Sequence, residues 1–510
     1  HGGTSVVEGS VDLPFGSAEP HRHVDGEALD APVVFFEEDA TLTSASIPGA
    51  GDVPLQVLDV TEVISWVKSR YETPWALHAR RVRFAALMTL PPCGYASIDL
   101  KVGTTTAAST GPVSTTPRSI ENELLRVTVA DDGTATVVDK RSGKSYERCG
   151  ELLDEGDVGD EYNYSPPRTE QVVTSRDLRH VSVAGTHSGP LRGGLAIRGS
   201  LPMPAGATSD RSARARETVD VPVAIQITLD AGSARAEWRV AVDNRARDHR
   251  LRLVFPSGLQ DVAEALADTA FGTISRPTRR EQPATIRTEV PVTSAPMQSF
   301  VACAEPGGAA VYAQGLNEYD VLLGESARIA VTLLRCVGDL SRDDLVTRPH
   351  GHAGPGLVTP GAQCIGHHEF VLAFEPFDGM PQVVDLYASA SAVVAPPRMA
   401  RADAAGEGLA GRGEMLELQS HHGGVVLSAL KKTEDRDSIT VRVFNPSREA
   451  AHLHLSVPGG LRGAAESNLL EESERSLNTA SGAAALDISA FALRTVELVP
   501  ARVAPRREPR

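Results

Sequence analysis

Hydrophobic and polar residues alternate with a period of two in the stretch that begins at Leu125. The apolar positions of this alternation are Leu125, Val127 and Val129. Such alternation is typical of a half-buried β-strand. The tight-turn signal Asp-Asp-Gly at 131–133 follows, and residues 134–138 are again rich in β-formers. The stretch is therefore predicted to be a β-hairpin, with a second turn at 141–144.

The same alternation continues through residues 117–396, where short β-like runs follow one another and helical spacing is scarce. Its clearest example is a face formed by Ala236, Trp238, Val240 and Val242. Strands need a second layer to bury their apolar faces, so a run of this length predicts a large two-sheet sandwich. The charged segment 209–220 contains few apolar residues and is predicted to be an exposed hairpin tip. No internal repeat is found.

Residues 1–110 hold short β-like runs broken by glycine and proline, and they are predicted to form a small β-unit. The helical spacing of Val60, Val63, Ile64 and Val67 predicts one short helix before Pro74. Residues 80–103 are predicted to be two strands around a Pro-Pro turn.

Three aromatic residues of this first unit allow two interpretations. Trp66, Tyr71 and Trp75 lie close together in the sequence. They can form a platform on which a sugar stacks, or they can pack in a core or at a domain interface.

Two segments have the composition of linkers and separate the predicted units. Residues 104–119 and 396–415 are rich in Gly, Ala, Ser, Thr, Pro or Arg and show no periodicity. A last unit, 412–500, repeats the strand alternation, and the basic tail 501–510 is predicted to be disordered. The fold class is therefore all-β.

An acidic segment follows the first hairpin. Its acids are Glu151, Asp154, Glu155, Asp157, Asp160 and Glu161. A solvated loop explains this composition. However, the segment ends in Tyr162-Asn163-Tyr164 before Pro166 and Pro167, which instead indicates a rigid, polar-tipped aromatic surface of the kind that sugar sites use.

Composition limits the classes of function. The chain has 510 residues, which suggests about two to four domains. Its net charge of −16 and pI near 5.4 argue against a nucleic-acid partner, because phosphate binding needs clustered Lys and Arg. The mean hydropathy is −0.15. Since no apolar run approaches the roughly 20 residues of a membrane helix, no membrane partner is predicted.

The cysteines indicate neither a zinc knot nor a disulfide framework, because they form no CxxC pair and are odd in number. They are Cys93, Cys149, Cys303, Cys336 and Cys364. We expect buried free thiols in a reducing compartment and a cytoplasmic location. The chain begins with His1 and no signal-like segment follows. We therefore expect a piece of a longer protein, which leaves room for a lost targeting peptide.

The chain contains pairs of histidines and pairs of acids, which are the residue types that metal binding and catalysis use. The histidine pairs are His21 with His23, His350 with His352, His367 with His368, and His421 with His422. A zinc site needs three or four converging ligands, and the pair His350 and His352 lies in a Gly/Pro loop with no acid beside it, so no metal site is predicted. The acid pairs 160–161 and 343–344 are sequence neighbours. Neighbours on a strand point to opposite faces, which does not suit the two carboxylates of a glycosidase. No catalytic residue is predicted in this chain.

Several segments together resemble glycoside hydrolase family 38, the α-mannosidases, in their bacterial form. The first is the acidic segment with its hairpin, 120–167. The others follow in the same order and are VDNRARDHRLRLVFPSG (242–258), ADTAFGTISRP (267–277), MQSFV (297–301), GLNEYDVL (315–322), VTLLRCVGDLSRDDL (331–345), TPGAQCIGHHEF (359–370) and LSALKKTEDRDSITVRVFNPS (427–447). The resemblance covers roughly residues 50–500.

This resemblance implies a small β-sandwich, a large mutarotase-like super-β-sandwich and a small C-terminal β-sandwich. It also implies that the zinc ligands, the nucleophile and the acid/base lie in an N-terminal catalytic domain absent from this chain. The segment GDEYNYSPP aligns with the family segment whose tyrosine touches substrate, so Tyr162 is implied to bind substrate. Arg335, in VTLLRCVG, is implied to do the same. The structural alternatives are that Tyr162 closes a loop and that Arg335 pairs with an acid at the core edge.

Two hypotheses of function follow from different classes. The first is that the chain is the C-terminal β-portion of a retaining zinc-dependent α-mannosidase and is inactive alone. Its partners would then be the catalytic domain, an α-mannoside substrate and, in a homo-oligomer, further copies. The second is a free-standing carbohydrate-binding or scaffold protein. An aromatic content of 5% with three Trp disfavours the second hypothesis, since stacking platforms are rich in aromatic residues.

Overall fold

A computed structural model describes residues 3–18, 33–67, 74–105, 111–281, 288–400, 411–421, 424–479 and 482–501. Strands account for 55% of the residues and helix for 4%. The all-β prediction is confirmed, because the period-two pattern does form strands along the described chain. All ladders between the named strands are antiparallel, and among the described residues pairing stays within the three predicted units except at one place.

The first unit has seven strands in two three-stranded sheets and one short ladder with a distant strand. The strands are β1 (Gly3–Ser17), β2 (Thr41–Ile47), β3 (Gly51–Val53), β4 (Leu55–Val67), β5 (Trp75–Leu90), β6 (Gly94–Ala96) and β7 (Asp99–Gly103). The sheets run β1-β5-β4 and β3-β2-β7. Their inner faces share a core that includes Leu42, Val82 and Phe84.

The prediction of a short helix around residues 60–67 is wrong. This segment is the second half of β4, which pairs with β5 from Leu55 to Val67. The residues at helical spacing are all β-branched, and such residues pack well on a pleated surface. Pairing with a long neighbouring strand therefore overrides the spacing of four apolar residues.

The aromatic platform of the first unit does not form as a pair of tryptophans. Val67 is the register partner of Trp75, so Trp66 lies on the opposite face of the sheet. Trp75 is buried, whereas Trp66 is 65% exposed. Tyr71 lies outside the described residues.

The Pro-Pro turn does not join two paired strands, which corrects the prediction for residues 80–103. After the turn, β6 pairs with β28 (Arg412–Glu414) of the last unit, and β7 pairs with β2. The β6–β28 ladder is the one place where strand pairing crosses between units among the described residues.

The large unit holds twenty described strands, and its sheets enclose one continuous core. The first nine are β8 (Ser114–Thr115), β9 (Ser119–Glu121), β10 (Leu125–Val129), β11 (Ala135–Asp139), β12 (Ser145–Cys149), β13 (Glu151–Gly156), β14 (Val173–Thr174), β15 (Arg179–Ser188) and β16 (Arg192–Pro204). The next ten are β17 (Thr218–Asp230), β18 (Ala236–Asn244), β19 (His249–Pro256), β20 (Glu264–Thr269), β21 (Gly272–Pro277), β22 (Ala295–Pro296), β23 (Phe300–Cys303), β24 (Ala309–Gln314), β25 (Glu318–Leu322) and β26 (Arg328–Cys336). One more, β27 (Gly366–Pro376), brings the described strands of this unit to twenty.

Three sheets build this unit. They run β12-β11-β10-β9-β8, β14-β13-β19-β26-β25-β22 and β15-β16-β17-β18-β27-β24-β23-β20-β21. The nine-stranded sheet carries the predicted face of Trp238, which is buried and makes an edge contact with Phe255 of the six-stranded sheet, ring centroids 5.2 Å apart. The predicted hairpin is confirmed as β10 and β11, with Leu125 opposite Asp139.

The segment 209–220 does lie at a hairpin tip, between β16 and β17, but it is not wholly exposed. Arg214 is buried and forms an ion pair with Asp154 of β13. The expectation of an exposed tip is wrong at this residue, because an acid buried under the tip needs a positive partner.

The helix α1 (Val383–Val394) was not predicted. It packs Leu386, Tyr387, Ala390 and Val393 on the outer face of β24 and toward Phe444 of the last unit. Two 3-10 turns, Ser175–Asp177 and Pro360–Gln363, complete the helical content of the described residues.

The last unit packs two sheets around a separate core. Its strands are β28, β29 (Glu417–His421), β30 (Val426–Lys432), β31 (Ile439–Phe444), β32 (Ala451–Ser456), β33 (Leu461–Ser467), β34 (Ser473–Ser476), β35 (Ala484–Ile488) and β36 (Leu493–Pro500). The sheets run β29-β32-β35 and β30-β31-β36-β33-β34. Of the predicted linker 396–415, Met399 packs on the core of the first unit, and residues 401–410 lie outside the described residues. No helix among the described residues is long and apolar enough to cross a membrane.

Candidate substrate-binding loop

The acidic segment forms a loop, 157–167, that leaves the end of β13. Asp154, Asp157 and Asp160 are each 0% exposed. The interpretation as a plain solvated loop is therefore wrong for these three acids. Each of them accepts hydrogen bonds that replace the water it has lost, as a buried carboxylate requires.

Asp160 shapes the tip of the loop. Its Oδ1 accepts the backbone N–H of Tyr162 at 3.0 Å and of Asn163 at 2.8 Å. Its Oδ2 accepts the N–H of Arg342 at 2.8 Å and pairs with the buried guanidinium of Arg348. Burial acts to raise the pKa of Asp160, but the hydrogen bonds from Arg348 and the backbone outweigh it and hold the pKa below its ordinary value.

Asp157 closes the base of the loop. Its Oδ1 accepts the N–H groups of Gly159 at 2.9 Å and Ser165 at 3.2 Å, so one carboxylate joins the two ends of the turn. Its Oδ2 accepts a hydrogen bond from Nε of Arg335 at 2.8 Å. Burial raises the pKa of Asp157, and the positive charge of Arg335 opposes that rise.

Gly159 is required by the tightness of this turn. A Cβ at this position would overlap the carbonyl oxygen of Asn163, and it would lie 2.8 Å from the backbone nitrogen of Ser165. Both obstacles are backbone atoms of the same loop, so neither can move without opening the turn. The loop is thus locked by residue size as well as by charge.

The two tyrosines of the loop have different surroundings. Tyr162 is 53% exposed, and the edge of its ring lies against the backbone of Gly354. Tyr164 points inward, with the guanidinium of Arg250 over its ring at 3.6 Å. Burial raises the pKa of Tyr164 above its ordinary value. Of the two, Tyr162 is the more exposed, and its hydroxyl end lies beside Gly354.

Arg335 contacts the loop through Asp157 and through the backbone that precedes Tyr162. Besides Asp157, its guanidinium donates to the carbonyl oxygens of Glu161, at 3.2 Å, and of Asp160. The side chain is 19% exposed. These contacts correspond to the alternative in which Arg335 pairs with an acid at the core edge. They hold the backbone just before Tyr162, so the arginine positions the tyrosine.

Sequence reasoning missed the second half of the site, residues 339–354. Arg348 donates to Asn163, Thr347 Oγ1 donates to the carbonyl of Tyr164 at 3.0 Å, and Glu161 N–H donates to the carbonyl of Asp339 at 3.1 Å. No local signal identifies these partners, because they are some 180 residues away in the chain. The Gly/Pro-rich run after Arg348 was the one available hint, since its Gly354 lets the ring approach.

The histidine pairs do not converge. His350 and His352 are exposed, with His352 Nε2 3.8 Å from Asp343, and His368 Nε2 donates to the carbonyl oxygen of Cys364 at 2.8 Å. His21, His23 and His422 lie outside the described residues. Among the residues that the structure describes, no three His, Cys, Asp or Glu side chains form a group able to hold a metal ion.

The comparison with protein families gives two matches. Residues 120–341 match the model "Glycosyl hydrolases family 38 C-terminal domain", and residues 424–496 match "Glycosyl hydrolases family 38 C-terminal beta sandwich domain". The two matches together span more than half of the chain. This chain belongs to glycoside hydrolase family 38. The family predicted from the motifs is thereby confirmed, and the loop described above lies inside the first matched domain.

A curated relative matches most of this family 38 chain. A protein of Halalkalibacterium halodurans described as "Putative mannosylglycerate hydrolase" is 27% identical over 376 residues, which are 71% of this chain and 39% of the relative.

Two solved structures have the same fold. One is an alpha-mannosidase from Enterococcus faecalis V583, with a TM-score of 0.77 and 22% identity over 98% of this chain and 55% of that one. The other is a family 38 protein from Enterococcus faecalis, with a TM-score of 0.75 and 23% identity over 97% of this chain and 56% of that one. The chain thus spans about half the length of the structures that it matches.

Proposed function

We propose that this family 38 chain is the C-terminal β-portion of a retaining, zinc-dependent α-mannosidase, and that it forms one wall of the sugar site through Tyr162. The observation that carries the proposal is the contrast at the loop tip. Tyr162 is 53% exposed, while the backbone on both sides of it is fixed by buried ion pairs. A preorganised loop that ends in an exposed tyrosine suits recognition of a ligand with hydroxyl groups and an apolar ring face.

Tyr162 would contribute in two ways. Its hydroxyl can donate or accept a hydrogen bond with a sugar hydroxyl, and its ring can pack on the apolar face of a pyranose. Arg335 would act indirectly in this proposal. Its guanidinium binds Asp157 and two loop carbonyls, so its role is to hold the backbone that positions Tyr162 for the substrate.

The catalytic groups are assigned to the part of the enzyme outside this chain. Zinc needs three or four converging ligands, and the described residues do not fit this requirement. Of the acid pairs considered, Asp160 is buried and bound to Arg348, and Asp344 is bound to Arg342 at 2.6 Å. The partner of this chain is then the N-terminal catalytic domain, and the substrate is an α-mannoside. A homo-oligomer and a cytoplasmic location remain predictions.

The first test is substitution of Tyr162 in the complete enzyme. Tyr162→Phe removes one hydrogen bond, worth about 0.5–1.5 kcal/mol with a neutral sugar hydroxyl. The expected result is a fall in kcat/KM of up to roughly tenfold with an unchanged melting temperature. Tyr95→Phe is the matched control, because Tyr95 is half-buried in β6 of the first unit. Unchanged kinetics in Tyr162→Phe would refute the role of this tyrosine.

The second test is the activity of the isolated chain on an aryl α-mannoside. We expect no turnover, because the proposal places both catalytic carboxylates and the zinc elsewhere. Turnover by the pure chain that a chelator abolishes would contradict the proposal. In the complete enzyme, kcat/KM on an α-mannoside compared with mannosylglycerate then selects between the two substrate types that the relatives' names suggest.

The second hypothesis, a free-standing carbohydrate-binding protein, is favoured by one observation. Trp66 is 65% exposed, and Ile64 on the same face of β4 is 55% exposed. If this surface binds sugar by itself, the isolated chain binds mannosides in calorimetry and Trp66→Ala abolishes the binding. Absence of binding by the isolated chain, with a kinetic effect of Tyr162→Phe in the complete enzyme, selects the first hypothesis.

A further inference from the structure

Two cysteines that are far apart in the sequence meet at the edge of the large core. Cys336 is the last residue of β26, and Cys364 directly follows the 3-10 turn Pro360–Gln363. The turn is tied to the strand end by backbone hydrogen bonds. Val337 N–H donates to the carbonyl of Ala362 at 3.3 Å, and Thr359 N–H donates to the carbonyl of Gly338 at 2.8 Å.

Asn244 makes hydrogen bonds to both cysteines. Its Nδ2 donates to Sγ of Cys336 at 3.5 Å and to the carbonyl oxygen of Cys364 at 2.9 Å. The orientation of this amide is set by its other end, since Oδ1 accepts the N–H of Ala246 at 3.1 Å. Asn244 is itself buried. The buried amide of Asn244 therefore fixes the position of Cys336 and Cys364 relative to each other.

The two thiols differ in exposure. Cys336 is 0% exposed, whereas Cys364 is partly exposed to solvent. Both touch the same amide nitrogen of Asn244, Cys336 through its sulfur and Cys364 through its carbonyl oxygen, so the two residues are neighbours in space. When protonated, Cys364 can also donate to the carbonyl of Ala362, 3.4 Å away. Loss of that proton leaves a thiolate that no longer donates to this carbonyl and can accept a hydrogen bond from Cys336.

The electrostatic surroundings favour loss of the proton from Cys364. The hydrogen bond from Cys336 lowers the pKa of Cys364 to about 6, against the effect of burial and with a smaller contribution from His368 and His249. The same contact raises the pKa of Cys336, and burial adds to that rise. One partner is thus suited to be the nucleophile, and the other is suited to remain a proton donor.

We propose that Cys364 and Cys336 form a peroxide-sensitive modification site, in which Cys364 is the reacting thiol and Cys336 the resolving thiol. The thiolate of Cys364 attacks one oxygen of hydrogen peroxide and the O–O bond breaks, giving a sulfenic acid and, after one proton is taken up, water. Cys336 then attacks the sulfenic sulfur. The S–S bond forms, a second water leaves, and the two thiols have been oxidised by two electrons while the peroxide has been reduced.

The first experiment measures alkylation of the unmodified chain with iodoacetamide, followed residue by residue by mass spectrometry. Cys93 is the internal control, because it is partly exposed as well but burial raises its pKa. Near pH 6 the greater thiolate fraction of Cys364 outweighs its lower intrinsic nucleophilicity, so we expect alkylation faster than that of Cys93 by on the order of tenfold or more.

The pH profile gives a second, independent readout of the same experiment. The alkylation rate of Cys364 is expected to have its midpoint near pH 6, whereas that of Cys93 still rises above pH 9. Equal rates at the two cysteines, or a Cys364 midpoint near that of an ordinary thiol, would overturn the proposal. No substitution is needed, so a failure to fold cannot obscure the result.

The second experiment exposes the reduced chain to hydrogen peroxide and maps the products. We expect a disulfide between residues 336 and 364 and unchanged Cys93. Cys336→Ala is expected to leave a sulfenic acid on Cys364 that a 1,3-diketone captures, and Cys364→Ser is expected to lose the reaction. Oxidation of Cys93 before Cys364, or a Cys364 that is oxidised but never linked to Cys336, would contradict the assignment of the two roles.

Discussion

At the scale of single residues, the candidate loop is held by charges that are removed from water. Moving a carboxylate into the interior costs several kcal/mol, and an opposite charge with good hydrogen-bond geometry offsets that cost. Asp154, Asp157 and Asp160 meet this condition through Arg214, Arg335 and Arg348. Such pairs stabilise little in sum, yet loss of one partner leaves a buried charge alone. The loop therefore has a definite conformation that is sensitive to single substitutions.

Arg348→Met tests this sensitivity. It leaves the buried carboxylate of Asp160 without its guanidinium partner, and the expected loss of stability is about 3–5 kcal/mol. The matched control is Arg245→Met, whose pair with Asp243 is exposed, with side-chain exposures of 52% and 39%. That change should cost less than about 1 kcal/mol. Equal effects in chemical denaturation would contradict the account of the loop.

The same pair predicts a dependence on pH. The folded-state pKa of Asp160 is held below its ordinary value, which is about 3.9 in the unfolded chain. Its contribution to stability is therefore fully present above that ordinary value and is lost as the pH falls through the folded pKa. Arg348→Met should make stability depend less steeply on pH in this acidic range, because the ionised carboxylate is then no longer stabilised by the guanidinium. A comparison of urea midpoints above and below about pH 4 measures the difference.

Gly159→Ala tests whether the turn has room for a side chain at this position. Gly159→Ala places a methyl group on the backbone of Asn163 and Ser165, so the turn must open. We expect a loss of stability of about 1–3 kcal/mol and, in the complete enzyme, a weaker interaction with substrate through the displaced Tyr162. Gly324→Ala is the control, since a Cβ there has no neighbour within 4 Å. Equal melting temperatures for the two variants would show that the turn has room to spare.

Residue types predicted only part of this arrangement. The position of Tyr162 followed from a family motif, and its exposure agrees with the prediction that it lies on an exposed loop face. The burial of the acids beside it was not predictable, because their partners come from β26 and from residues 339–354. Composition describes a segment and its immediate neighbours. It contains no information about which arginine, far away in the chain, will be brought to it.

At the scale of elements, local pairing was predictable where both partners were neighbours in the sequence. The β10–β11 hairpin follows from alternation and an Asp-Gly turn. The failures were β4, where four β-branched residues had helical spacing by chance, and α1, which was not predicted as a helix. The sequence of α1, VVDLYASASAVV, mixes alanine and leucine, which favour helix, with valine and serine, which favour it less. Tertiary packing on β24 decides its conformation.

Leu386→Ala tests the contribution of that packing. Leu386 is 1% exposed in a cluster of residues that includes Phe300, Tyr312 and Phe444. Removal of its side chain should cost about 2–5 kcal/mol and increase hydrogen exchange along α1. Val394→Ala, at the exposed end of the same helix, removes a side chain that is 37% exposed and should change stability by less than about 0.5 kcal/mol. If the two variants behave alike, α1 is not held by this face.

At the scale of the whole molecule, the units are joined by a few specific contacts. Arg192, at the start of β16, pairs with Asp230 of its own unit at 2.6 Å and with Glu8 of the first unit at 2.6 Å. The β6–β28 ladder joins the first unit to the last. These contacts fix how the first unit is placed beside the large sandwich that carries the candidate loop.

Gln56 makes the most specific of these joints. Its Oε1 accepts the N–H groups of Leu191 at 2.9 Å and Arg192 at 2.8 Å, and its Nε2 donates to the carbonyl of Arg192 at 3.0 Å. The amide lies against Gly189, where a side chain would leave it no space. A glutamine of β4 thus hydrogen-bonds the backbone of two residues of the large unit, one of which, Arg192, has its strand partner Asp230 on the other side.

Gln56→Ala removes all three hydrogen bonds at once and leaves buried backbone groups unpaired, at a cost of about 1–3 kcal/mol for each group that water does not reach. We expect faster amide exchange at residues 191 and 192 and along β4, and earlier proteolysis between the first two units. The buried core of the large unit should remain protected, because none of its contacts change. Gln314→Ala is the control, since Gln314 is exposed and makes one hydrogen bond of 3.3 Å to the carbonyl of Val394. Exchange that rises equally in both variants, or that rises in the large core first, would show that the units are not coupled through this amide.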